Sequence, residues 1–221
     1  MHETALKVEV LNWVRAASAG RALPIVASEF SLNGTGNRAD LAILGDAFIG
    51  VEIKSAADTL KRLPSQMEGY ARYFDHTILV VAPKHVNNLP TLDLRGAQVW
   101  VQTCPGEREC IMEGTAGRVF GHTLLGLLTA DEERRAMRNI QAGAVTSDEA
   151  YRQEFEKAFN RRYASTSQAF WKSVRRRPIR SDDLLLLSRF QAERQRGQEA
   201  KAAEAIRWTQ WAHQMTATVN A

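Results

Sequence analysis

Cysteines, clustered histidines and long apolar runs are scarce in this chain, and each shortage removes a class of function. The two cysteines, Cys104 and Cys110, form neither a C-x-x-C pair nor a four-ligand set, and they read as reduced thiols. Histidines stand apart at 2, 76, 85, 122 and 213 with no H-x-x-x-H pair, which argues against zinc chemistry. No stretch approaches the ~20 apolar residues of a membrane-spanning helix, and no basic-then-apolar leader opens the chain. A cytoplasmic protein with no membrane partner is expected. The 221 residues suffice for one large domain or for a core with an appendage.

Charge is present but unevenly placed. The formal net charge is +4, yet residues 1–120 carry 12 basic and 13 acidic side chains, and residues 121–221 carry 17 and 12. Within 152–180 nine basic residues face two acidic ones. A near-neutral first half and a basic second half suggest chemistry in one and polyanion contact in the other.

The hydrophobic pattern predicts a helix from about Ala5 to Ala19, a strand at 24–30, a Gly-rich loop at 33–37 and a hairpin over 39–55. A helix starting at Pro64 follows, with Met67, Ala71 and Phe74 as its apolar stripe. Strands are expected at 77–82 and 98–102, with Pro105-Gly106 turning the chain back through Met112. Beyond about His122 strand signals stop. Ser147 and Ser181 each read as a helix N-cap followed by acids, the second helix running past Arg207. The expected fold is α/β, a mixed central sheet flanked by helices, divided into a core at 1–120 and a basic helical region at 121–221.

The hairpin register carries the chemistry. A three-residue or bulged turn pairs Leu44 with Phe48, Leu41 with Val51 and Asp40 with Glu52. It gathers Leu41, Ile43, Ile49, Val51 and Ile53 on one face, whereas a two-residue turn mixes the faces. Two opposed carboxylates repel unless a cation lies between them. Ala42 and Gly50 leave room beside them, and Lys54 shares their face. This reads as a hard-metal site with an adjacent lysine. Its bland counterpart is a solvated, charged sheet face.

Arg38-Ala39-Asp40-Leu41, Val51-Glu52-Ile53-Lys54-Ser55 and the Gln66-x-x-x-Tyr70 helix together resemble the PD-(D/E)XK, or restriction-endonuclease-like, nuclease superfamily, in particular its small bacterial and phage members. The likeness covers about residues 25–83. Ala39 stands where the superfamily's name has proline, and the tail beyond about 120 has no counterpart. The resemblance implies Mg²⁺ or Mn²⁺ held by Asp40, Glu52 and the Ile53 carbonyl, with Glu29 completing the shell or binding a second ion. It further implies that Lys54 assists the attacking water and that Gln66 positions it.

Arg38, Arg62 and Tyr70 are then candidates for DNA contact near the site, and Arg161, Arg162, Arg175, Arg176 and Arg177 for phosphate contact in the basic segment. Phe155 and Phe159, four apart, are expected in the core. The expectation is a metal-dependent deoxyribonuclease. The alternative is a non-catalytic nucleic-acid-binding or partner-interaction protein, with the C-terminal helices as a homodimer or partner surface.

Overall fold

The computed structural model describes residues 2–104, 106–143 and 147–188. Pro105 of the expected turn, the helix expected beyond 188 and any partner surface on it lie outside the described residues. Helix α1 (Glu3–Ala17) buries Leu6, Val10 and Leu11 on one face, and Lys7 with them. Six strands follow: β1 (Ile25–Leu32), β2 (Asn37–Leu44), β3 (Phe48–Lys54), β4 (His76–Val81), β5 (Gln98–Cys104) and β6 (Glu107–Met112). They form one mixed sheet in sequence order. The β1–β2, β2–β3 and β5–β6 pairs are antiparallel, while β3–β4 and β4–β5 are parallel. A parallel pair needs a crossover, and α2 (Leu63–Tyr73) supplies it between β3 and β4.

Burial selects the hairpin register. Leu41 faces Val51, Ala42 faces Gly50, Ile43 faces Ile49 and Leu44 faces Phe48. Leu41, Ile43, Val51 and Ile53 therefore pack with Leu6, Val10 and Leu11 of α1. On the opposite face Ala42, Leu44 and Phe48 meet Met67, Tyr70 and Phe74. Two expectations need correction here. The space beside Ala42 and Gly50 is filled, because a Cβ at Gly50 would fall inside the Phe74 ring. Ala71, expected in the apolar stripe of α2, is exposed instead.

The helical region is part of the same packing. Helices α3 (Gly121–Leu125), α4 (Ala130–Ala142) and α5 (Asp148–Ser173) close the described chain, followed by a 3₁₀ segment, Ser181–Leu187. Ser147 caps α5, its Oγ accepting from the Ala150 N–H at 3.2 Å. Phe155, Phe159 and Tyr163 pack with Phe30 and Phe48 on the α2 side, whereas Phe170 and Trp171 join the α1 side. In between, α5 passes the β1 edge. Ser167 Oγ accepts from the Val26 N–H at 3.0 Å, and Trp171 Nε1 donates to the Pro24 carbonyl at 2.9 Å. One N–H of the edge strand and the carbonyl just before it are thereby satisfied. Ser181 does not cap a helix as expected: Asp183 instead accepts from the Arg180 N–H at 2.8 Å. No described helix is long and apolar enough to cross a membrane.

Candidate functional site

Glu52 sits at the end of β3 with its carboxylate fully engaged. Strand alternation puts Glu52 and Lys54 on one face, and the four-residue spacing of Gln66 and Tyr70 turns both toward them from α2. Lys54 Nζ donates to Glu52 Oε1 at 2.6 Å and to Gln66 Oε1 at 2.8 Å. Gln66 Nε2 donates to Glu52 Oε1 at 2.6 Å, and the Tyr70 hydroxyl donates to Glu52 Oε2 at 2.6 Å. Burial, then the Glu52 charge, raises the Tyr70 pKa well above the ordinary phenol value, so its proton stays in place. Glu52 is 2 % exposed and Lys54 8 %, so the polar hairpin face is roofed by α2 and is not a solvated one.

Asp40 links this cluster to a second one. Its Oδ2 accepts from the Ile53 N–H at 2.7 Å, and its Oδ1 lies 3.5 Å from Lys7 Nζ. The same ammonium is 2.5 Å from Glu29 Oε1 and 2.7 Å from Glu3 Oε1. Burial and then the charge of Glu52 push the Asp40 carboxyl up to about 7, against the opposing pull of Lys7 and the Ile53 N–H. Burial disfavours the Lys7 ammonium, but Asp40, Glu29 and Glu3 outweigh it and hold the amine above the ordinary lysine range.

Glu29 reaches this group from an unusual backbone. Its φ is 55°, in the left-handed region, between the paired residues Ser28 and Phe30. A non-glycine residue in that region carries strain, which clusters at functional sites. Glu3, Glu29 and Asp40 each offer an oxygen within 4.8 Å of the others. That is a set of hard donors of the kind Mg²⁺ and Mn²⁺ take.

Glu3 and Lys7 were missed by reasoning from the sequence. The available signal was a lysine inside the apolar stripe Leu6-Lys7-Val10-Leu11, four residues after an acid.

The expected DNA-contact residues separate into two groups. Arg38, Arg62, Arg161, Arg175 and Arg176 are exposed. Tyr70, at 0 % exposure, cannot touch DNA and instead holds Glu52. Arg162 pairs with Glu132 and lies near the Leu127 carbonyl, tying α5 to α4. Arg177 is taken by Asp183 at 2.6 and 2.7 Å. Arg152, counted in the basic stretch, is buried against Asp75.

Comparison with known proteins corrects the family suggested above. The sequence profile of the family described as bacteriophage P4 protein cII matches residues 1–188. None of the curated proteins and none of the solved structures matches the chain. The string that resembled the PD-(D/E)XK superfamily spans only about residues 25–83. The profile spans α1, the whole sheet and the helices through Leu187. With most of its length, including every described element, inside that match, the chain belongs to the bacteriophage P4 protein cII family.

Proposed function

We propose that this protein is a metal-dependent phosphodiesterase acting on DNA. The observation that carries it is the closeness of Asp40 on β2, which accepts from the Ile53 N–H, to Glu52 on the neighbouring β3, beside the hydrogen-bonded Lys54. A buried carboxylate and a half-buried one that repel, the latter with its carboxyl raised to about 7, form a centre that a hard cation would relieve.

Asp40 and Glu29, with Glu3, would hold the Mg²⁺ or Mn²⁺, each offering an oxygen within 4.8 Å of the others. Glu52 would join them only by giving up its present partners. Such an ion supplies neutralisation of phosphate charge and a more acidic water. Lys54, held between Glu52 and Gln66, would donate to an oxygen that gains charge as the phosphodiester is attacked. Gln66 keeps Lys54 and Glu52 in register. Tyr70 holds the second Glu52 oxygen, so that carboxylate cannot swing away. Arg38 and Arg62, exposed near the hairpin and at the start of α2, suit phosphate contact, as do Arg161, Arg175 and Arg176 farther along the chain.

One observation favours the alternative, a non-catalytic nucleic-acid-binding or partner-interaction protein. Lys7 already places a positive charge among Glu3, Glu29 and Asp40, as an ion would. Incubating the chain with single- and double-stranded DNA, with and without Mn²⁺, separates the two readings. Metal-dependent cleavage that falls by about a hundredfold or more in Lys54→Met supports the enzyme. Absence of cleavage under every condition favours the alternative.

A further inference from the structure

On the outer side of α2, away from Glu52, two cavities share Ala71, Arg72 and Arg95 and so form one groove. One of them, of about 510 Å³, reaches from Ser65, the neighbour of Gln66, to Arg72. The other, of about 370 Å³, continues past His76 and Arg118 to Phe120, at the opposite end of the sheet from Lys54. Both volumes fall within the ~300–1,000 Å³ typical of ligand sites. From Ser65 to Arg72 the floor runs about 10 Å along the helix.

Its lining has a specific chemistry. Phe120 is 73 % exposed, the most open of the large hydrophobic side chains among the described residues. Three arginines surround the same space. Arg72 has no carboxylate partner among the described residues, and its guanidinium lies 5.2 Å from the Tyr73 ring centre. Arg95 meets Asp93 through Nε at 3.0 Å, which leaves its two terminal nitrogens available. Arg118 meets Glu149 through NH2 alone. Consecutive left-handed residues, Arg95 at φ 51° and Gly96 at φ 75°, set the turn that carries Arg95. His76 also lines the groove, and its buried Nδ1 lacks a hydrogen-bond partner.

An exposed aromatic flanked by arginines is the combination that takes a base on its face and phosphates on its rim. We infer that the α2 groove binds single-stranded nucleic acid, a base stacking on Phe120 and backbone phosphates meeting Arg72, Arg95 and Arg118. A duplex keeps its bases stacked inside and offers Phe120 nothing to pair with, so the groove discriminates for single strands. The inference stands apart from cleavage, because it needs neither Lys54 nor a metal.

The test is fluorescence anisotropy of the full chain with a labelled 12-nucleotide oligo-dT and a 12-base-pair duplex, in EDTA, across a salt series. Phe120→Ala and the longer-chained, non-aromatic Phe120→Gln should each weaken oligo-dT binding at least fivefold. Both should leave the salt slope unchanged and change duplex binding by less than twofold, and Phe120→Trp should retain affinity. The double variant Arg72→Ala, Arg95→Ala should flatten the slope of log affinity against log salt by about 1.4, at roughly 0.7 per lost single-strand contact. Wild-type protein that does not bind oligo-dT, Phe120 variants within twofold of it, or an unchanged slope in the double variant overturns the inference. Each of those results leaves the groove to an acidic protein surface.

Discussion

Asp40 ties stability to pH. Its carboxyl sits at about 7 in the folded chain against an ordinary 3.8, so the folded state binds more protons than the unfolded state between those values. The associated stability is fully present below about pH 4 and is lost as the pH rises through about 7. Asp75, Glu132, Glu154 and Asp183 shift the other way, and their contribution is lost only at lower pH. Urea unfolding at pH 4 to 8 should therefore show a fall in wild type that Asp40→Asn largely abolishes. An identical slope in the variant would remove Asp40 as the cause.

Glu52 is the partner of a buried cation. Removing it leaves the buried Lys54 ammonium without its carboxylate, so Glu52→Ala should cost about 3–5 kcal/mol. Adding Lys54→Met should recover part of that loss, read as a non-additive double-mutant cycle. The shared face of Glu52 and Lys54 on β3, and that of Gln66 and Tyr70 on α2, were legible in the sequence because two short periods fix them, two residues in a strand and 3.6 in a helix. Lys7 was not legible: its contact with Asp40 depends on where α1 docks, which no local period encodes. The burial of Tyr70 and the capture of Arg162 and Arg177 were hidden for the same reason.

At the scale of elements, the strands and α2 announced themselves through alternation and through Pro64 in the first helical turn. Helix α4 did not, since it buries only Ala136 and Ile140. Its capping box, Thr129 with Glu132, was nonetheless written in the sequence. The Ser181 segment misled because Asp183, which resembled a first-turn acid, is held by Arg177 and the Arg180 N–H. Two substitutions probe how elements meet. Gly50→Ala drives a methyl into the Phe74 ring and should destabilise by about 1–3 kcal/mol in urea unfolding. Ser167→Ala leaves the buried Val26 N–H without its acceptor and should cost about 1–3 kcal/mol, with faster amide exchange at Val26. Unaltered exchange would mean that α5 does not seal this edge.

Across the whole molecule, Asp75 is where the layers are fastened. Its carboxylate accepts from the N–H groups of Phe48 and Val119, each at 2.8 Å, and pairs with the buried Arg152 of α5. Arg152→Met strands that carboxylate and should cost about 3–5 kcal/mol. Because α5 enters both hydrophobic clusters, the loss should lower the single transition rather than split it. Two separate transitions in calorimetry would show that the helical region unfolds on its own.

The reach of α5 also sets a timetable. β1 leaves the ribosome early, yet the hydroxyl that seals its edge arrives 141 residues later, and the carbonyl that Arg15 holds arrives 159 residues later. At ordinary elongation rates that interval is on the order of ten seconds. Throughout it the nascent sheet presents an open edge and two partly bare faces. Expression should therefore depend on synthesis rate and on chaperones that shield β1, and the yield of soluble chain should fall when elongation is slowed at constant temperature.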